Sequence, residues 1–357
     1  MRVALLGGTG FVGTRLVERW LLGGGHDLHL VVRGPGSLAR VARFQLPSWA
    51  ACDIFDAQAL AQSIRGCDAM VHAVVGDPDQ IVIAARAALQ ACRLAGVKRL
   101  VYLSSASVHG QNPAPGTDDF TALRDDQPIE YNNAKVLAER ALAGSTDVEV
   151  VILRPGIVYG PRSQWFTDLP RALRSGRAFL VDGGNGWCNH IYVDNLIQAI
   201  ELGLVHPQAT DKPFYVSDST CLTWREFYRP VVEALGFGLD DMQNVAPAAR
   251  PSRSVVGRHS ARVKNSGAAR MVLPLFSRRL KDAVKAGLQR YSAPEALNGF
   301  AIPRAGAPMP DWEISELHTC KTRLPMDRAV SLLGYAPEVD ADEALARSAR
   351  WLSGLWD

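Results

Sequence analysis

What this sequence has little of narrows the field first. Its six cysteines, Cys52, Cys67, Cys92, Cys188, Cys221 and Cys320, are scattered with no C-x-x-C pair. That excludes a zinc ribbon or a disulfide framework and fits reduced thiols, so no metal site is expected. No long uncharged apolar run occurs, so no segment reads as a membrane span and no integral membrane association is expected. An excess of one charge is missing too: 39 Lys and Arg face 36 Asp and Glu, a net of +3. Such a balance does not call for nucleic acid or an anionic membrane as a partner. Internal repeats and low-complexity tracts are absent. The chain runs from Met1-Arg2-Val3-Ala4-Leu5-Leu6 straight into a glycine cluster, which leaves no room for a cleavable signal and, with reduced thiols, gives a cytoplasmic expectation.

What is present is globular: 357 residues, 47% hydrophobic and 21% charged, enough for one large α/β domain carrying a smaller part. Short apolar runs at Val3 to Leu6, Leu28 to Val32, Ala69 to Val75, Arg99 to Ser104 and Val148 to Leu153 read as buried strands. Between them Gly10 to Leu22, Ala57 to Ile64, Gln80 to Ala95 and Tyr131 to Ala143 carry apolar residues at helical spacing. The alternation predicts a doubly wound parallel sheet of the Rossmann type, with ligands beyond the carboxyl ends of its strands. Residues 1–162, with 188–216 returning to them, form the expected dinucleotide-binding domain. From about Pro161 the pattern loosens, and 163–187 with 217–357 form the expected C-terminal substrate-binding part. Within it, residues 250–290 are basic, with Asp282 as the lone acid. Leu273, Phe276, Leu280, Val284, Leu288 and Tyr291 recur there at helical spacing, which reads as a packing helix, a lid over the substrate or a membrane-surface helix.

Gly7-Gly8-Thr9-Gly10-Phe11-Val12-Gly13 follows the first strand and opens the first helix. Glycines there permit a tight turn and let a pyrophosphate approach the backbone at the positive end of the helix. A carboxylate at the end of the second strand would accept from an adenosine ribose hydroxyl, but this strand ends Val31-Val32-Arg33-Gly34. An arginine suits a 2'-phosphate, as does Arg40 further on, which favours NADP over NAD; the plain alternative for Arg33 is a solvated surface charge. Asp53 reads equally as an acceptor for the adenine amino group and as a helix N-cap.

Tyr131-Asn132-Asn133-Ala134-Lys135 puts a phenol and an ammonium four residues apart, on one helix face. A neighbouring ammonium favours the phenolate and lowers its pKa, so that Tyr131 can take a hydroxyl proton as hydride leaves the same carbon, or return it. Y-x-x-x-K alone is common by chance. Its weight comes from Val101-Tyr102-Leu103-Ser104-Ser105-Ala106-Ser107-Val108-His109-Gly110, a buried strand running into a serine-rich turn. Ser105 suits the reacting oxygen, while Ser104 and Ser107 read as cap or turn serines.

On these residues the sequence resembles the extended short-chain dehydrogenase/reductase family, also called the NAD-dependent epimerase/dehydratase family. The likeness covers most of the chain and extends to Leu153-Arg154-Pro155, Tyr159-Gly160-Pro161, His190-Ile191-Tyr192-Val193-Asp194 and Leu333-Gly334-Tyr335-Ala336-Pro337. It implies Ser105 as the catalytic hydroxyl, Tyr131 as the acid/base, and Lys135 as electrostatic partner and ribose ligand. Together, these residues and the resemblance give as expected cofactor contacts Gly7, Thr9, Gly10, Phe11, Val12, Gly13, Arg33, Asp53, Ile54, His72, Ala73 and Val74, with Tyr131, Lys135, Pro155 and Ile157; Arg33 comes from the strand-end chemistry alone. His109 stands where the family usually has tyrosine, and reads as a satisfied loop residue. The family's 4,6-dehydratases carry an Asp-Glu pair where this chain has Ala106 and Ser107, which disfavours water elimination. Ile157 and Cys188-Asn189-His190 depart from the sugar-nucleotide pattern.

The leading expectation is therefore an NAD(P)-dependent dehydrogenase or reductase acting on a small-molecule secondary alcohol or ketone, with a homodimer as a possible assembly. A sugar-nucleotide epimerase or reductase comes second, and a non-catalytic dinucleotide-sensing regulator on the same fold comes third.

Overall fold

The apolar runs become strands whose side chains alternate between two cores. A computed structural model describes residues 1–46, 48–210, 212–250 and 310–354. The first elements are β1 (Arg2–Leu6), α1 (Phe11–Gly23), β2 (Asp27–Val32), β3 (Ser48–Ala51), α2 (Ala57–Ser63), β4 (Ala69–His72), α3 (Pro78–Ala95), β5 (Arg99–Leu103), α4 (Glu130–Leu142) and β6 (Glu149–Pro155). There follow β7 (Ile157–Tyr159), α5 (Gln164–Thr167), α6 (Leu169–Arg174), β8 (Phe179–Val181), β9 (Trp187–Cys188), β10 (His190–Tyr192), α7 (Val193–Val205) and β11 (Lys212–Val216). The last are β12 (Leu222–Thr223), α8 (Trp224–Ala234), β13 (Gln243–Val245), α9 (Trp312–His318), α10 (Asp327–Leu333) and α11 (Ala341–Ser353).

Seven strands form one parallel sheet in the order β11-β6-β5-β4-β1-β2-β3. On one face Val3, Leu5, Leu30, Val71 and Val101 pack with Leu16 and Trp20 of α1 and Ile197 and Ile200 of α7. On the other, Ala4, Leu6, Met70, Leu100 and Tyr102 pack with Leu60 of α2, Leu89 of α3 and Ala138 of α4. Period-two alternation thus sends each strand's side chains to opposite cores. The chain leaves β1 towards β2 and β3, then crosses back to β4. The carboxyl ends of β1 and β4 therefore flank the crevice where the winding reverses.

Helix limits agree with the expected ones to within two residues, and local chemistry sets them: Pro78 opens α3, and left-handed Gly24 and Gly96 close α1 and α3. Three differences matter. Strand β4 stops at His72: the Ala73 amide still donates to the Leu6 carbonyl oxygen at 2.9 Å, and Ala73 to Val75 line the crevice beyond it. Strands β3 and β11 at the two sheet edges are absent from the expected set. The loosely patterned 163–187 segment holds α5, α6 and β8. The lid expectation for the basic segment lies outside the described residues, Arg250 excepted. Among the described residues no helix is long and apolar enough to cross a membrane.

Candidate active site

The glycine turn after β1 is steric in origin. Gly7 has φ +86°, and a Cβ on it would meet the Ala73 carbonyl oxygen at 2.5 Å. A Cβ on Gly13 would lie 2.1 Å from the Gly7 carbonyl oxygen. The Gly10 amide donates to that same oxygen at 2.9 Å, and Gly10 opens α1 with no side-chain cap and no acidic residue in the first turn. The first amides of a 13-residue helix are thus presented to an anion beside a backbone stripped of side chains, which fits a dinucleotide pyrophosphate. Gly7, Thr9, Gly10, Phe11 and Val12 line the resulting cleft, whereas Gly13 does not. Its place is beneath the turn, against Gly7 and Gly8.

Arg33 is exposed on the cleft wall at the end of β2. Arg40 folds back to donate to the Thr9 carbonyl oxygen at 3.2 Å. Asp53 and Ile54 line the same end. The N-cap reading of Asp53 is corrected: its carboxylate accepts from the Phe55 amide, and Asp56 caps α2 through the amides of Gln58 and Ala59. His72, Ala73 and Val74 form the opposite wall. The His72 ring is buried with neither nitrogen hydrogen-bonded. Burial, with Lys135 nearby, holds its pKa down at about 3, so the ring is neutral.

Ser105 follows β5 in extended conformation, and its Oγ accepts from the Ser107 amide at 3.2 Å and lies 2.9 Å from the Ser107 hydroxyl. Ser105 is therefore itself the cap of the short 3₁₀ turn Ala106–His109, a role the sequence suggested for its neighbours. Ser104 is no cap: its buried hydroxyl donates to Glu139. Tyr131, half-buried in the first turn of α4, lines the cleft beside Ser105. Lys135 lies beneath, 1% exposed, with Nζ donating to the Leu103 carbonyl oxygen at 2.7 Å and 5.9 Å from the Tyr131 ring centre.

Electrostatically Tyr131 runs opposite to the sequence argument. Burial pushes the Tyr131 phenol up to about 12 against a hydrogen bond from Ser105, and burial pushes Lys135 down to about 8 against the charge of Glu139. Each charged form loses hydration, and that loss outweighs the neighbours that helical spacing brings close. His109 is engaged at both nitrogens, by the Tyr215 hydroxyl and the Thr121 carbonyl.

One continuous cavity of about 2780 Å³ joins the glycine turn, Arg33, Ser105, Tyr131, Pro155 and Ile157, well beyond the ~300–1,000 Å³ of a drug-sized pocket. It runs on into a wall of Trp165, Phe179, Trp187 and Tyr228. That aromatic wall was missed, because it draws single residues from four elements, α5, β8, β9 and α8. So was the buried Arg154–Glu139 pair at 2.7 Å, although Glu139 stands one helical turn beyond Lys135.

Residues 3–216 match the model of the NAD dependent epimerase/dehydratase family. The chain belongs to that family. Within it, the chain is 31% identical to a 3 beta-hydroxysteroid dehydrogenase/Delta 5→4-isomerase of Mycobacterium tuberculosis, over 70% of this chain and 73% of that one. It is 28% identical to a 2-alkyl-3-oxoalkanoate reductase of Stenotrophomonas maltophilia, over 66% and 76%, and 30% identical to a UDP-glucose 4-epimerase of Vibrio cholerae, over 65% and 75%. In fold it is similar to a dTDP-glucose 4,6-dehydratase from Streptomyces venezuelae with NAD and TYD bound, with a TM-score of 0.68, 20% identity and coverage of 98% and 96% of the two chains.

Proposed function

We propose that this family member is an NADP-dependent oxidoreductase that interconverts a secondary alcohol and a ketone. The observation that carries the reading is that Ser105, Tyr131 and the glycine turn face one cavity. A bound nicotinamide donates or accepts the hydride; the side chains handle the oxygen and its proton. In reduction the Ser105 hydroxyl holds the ketone oxygen, and the Tyr131 phenol, well protonated with a pKa near 12, gives it a proton as charge develops there. In the reverse direction Tyr131 takes the hydroxyl proton. Lys135, expected to bind a ribose, is instead buried beneath Tyr131 and absent from the cavity wall, with Nζ donating to the Leu103 carbonyl oxygen; its part in this reading is to place a positive charge under the phenol and to hold α4 against β5. Pro155 and Ile157 line the nicotinamide end.

Arg33 and Arg40 at the adenosine end support NADP, since a guanidinium suits a 2'-phosphate. The aromatic wall supports an apolar substrate, bound by a part built from residues 163–187 and 217–357. Ala106 and Ser107 offer no carboxylates after Ser105, so dehydration is not part of the reading. Likeness to the Vibrio cholerae epimerase supports epimerisation as the second reading.

The test follows NADPH and NADH consumption with a steroid ketone, an open-chain ketone and a 3-oxoalkanoate, and separately the conversion of UDP-glucose. Consumption of NADPH with a ketone is expected. Conversion of UDP-glucose without net cofactor consumption establishes the epimerase instead. Tight cofactor binding with neither activity leaves a dinucleotide-sensing role.

A further inference from the structure

Below the cleft, the serine turn and helix α4 are joined by a buried polar cluster. Ser104, 5% exposed, donates from Oγ to Glu139 Oε1 at 2.5 Å. Glu139 lies one turn past Lys135 and two past Tyr131 on the same face of α4. Arg154 on β6 holds the carboxylate with two forks, Nε to Oε1 at 3.0 Å and Nη2 to Oε2 at 2.7 Å. Its remaining Nη1 donates to the Asp119 carbonyl oxygen at 3.2 Å. The Ser104 amide donates in turn to the Leu153 carbonyl oxygen at 2.8 Å, continuing the β5–β6 ladder by one residue.

The backbone at Ser105 is extended, with φ −157° and ψ 147°. In extended chain, successive side chains point to opposite sides. A hydroxyl fixed downward at Ser104 therefore fixes the upward direction of Ser105. Glu139, set on the rigid helix that carries Tyr131 and clamped by Arg154, is the fixed point. The bond joins the two elements whose side chains must meet one oxygen atom.

We propose that Ser104 and Glu139 are positioning residues, whose buried hydrogen bond sets the separation and direction of Ser105 on its turn relative to Tyr131 on α4. The inference rests on the proton-transfer reading above. Neither residue touches substrate: Ser104 and Glu139 are absent from the cavity wall. Placement matters steeply here, because a displacement of about 1 Å of a reacting group costs on the order of 100-fold in rate.

The experiment measures kcat, ketone KM and NADPH Kd for the full chain and for Ser104→Ala, Ser104→Thr, Ser104→Cys and Tyr131→Phe, with a ketone on which the parent protein consumes NADPH in the preceding test as the probe. Ser104→Ala should lower kcat by roughly 10- to 100-fold while KM and Kd stay at the parent values. The restored hydroxyl of Ser104→Thr, or the thiol of Ser104→Cys, should recover part of the loss. Parent kcat in Ser104→Ala overturns the proposal. So does a loss accompanied by an equal weakening of NADPH binding, which marks general damage to the fold. If Tyr131→Phe keeps full turnover, the proton-transfer reading fails first, whatever Ser104→Ala does, and the positioning role falls with it.

Discussion

The Lys135 ammonium on α4 donates to the carbonyl oxygen of Leu103, the last residue of β5, at 2.7 Å, and both residues are buried. Helix and strand are tied together at the point where β5 delivers the serine turn. The arrangement makes folding stability depend on pH. Burial holds the Lys135 pKa at about 8, below its ordinary 10.5. Below pH 8 the group is charged in both states, and the folded state bears the whole cost of burying it. Between about 8 and 10.5 the unfolded chain keeps a proton that the folded one has released, so this group's contribution to stability rises with pH. Relative to Lys135→Met, the parent should gain roughly 2 kcal/mol between pH 8 and pH 10. Denaturant unfolding of both proteins across that range measures it. A constant difference would show that Lys135 does not titrate there.

The glycine turn gives a second prediction. A Cβ on Gly13 meets the Gly7 carbonyl oxygen at 2.1 Å, whereas one on Gly23, at the far end of the same helix, meets nothing within 4 Å. Gly13→Ala should weaken NADPH binding by roughly tenfold or more, about 1.4 kcal/mol, with native circular dichroism. Gly23→Ala should leave binding alone. Equal affinities in the two variants would remove the cradle from the account.

Arg33 governs the third. It stands exposed at the end of β2 with no ion pair among the described residues. Arg33→Ala should narrow the preference for NADPH over NADH by roughly tenfold, the size of a charge-assisted hydrogen bond partly lost to water. Raised salt should narrow it in the parent as well. Equal affinities for the two cofactors in the parent protein would contradict the NADP reading.

The Arg154–Glu139 pair, with side chains 3% and 4% exposed, gives the fourth. Arg154→Met strands a buried carboxylate and should cost about 3–5 kcal/mol of stability. The double variant Arg154→Met/Glu139→Met should recover a large part of that, because no charge is then left without a partner. Denaturant midpoints of the three proteins decide it.

Much of this was legible in the chain. Continuous apolar runs marked the five inner strands, since strands buried on both faces need them, and the glycine spacing marked the crossover. The edge strands were not legible. Ser48–Ala51 is only half-buried, and Lys212–Val216 opens on a lysine and a proline, so neither reads as an apolar run. Helical spacing placed Tyr131 and Lys135 on one face, but spacing carries no information on burial. Burial is what reverses the shift expected for Tyr131 and what lowers Lys135. Asp56 rather than Asp53 caps α2 for a similar reason: both acids precede the helix, and only the backbone path decides which carboxylate reaches its amides.

The central claim is that Tyr131 carries the proton for a hydride transfer in this cavity, and Tyr131→Phe tests it most directly. Removing one hydroxyl leaves the ring, the helix and the glycine turn in place, so only the proton-transfer group is lost. The measurement compares ketone-dependent NADPH consumption and NADPH Kd in parent and variant. The account predicts a fall in kcat of at least about 100-fold, the contribution of a positioned general acid, with Kd unchanged. Full turnover in Tyr131→Phe would contradict it.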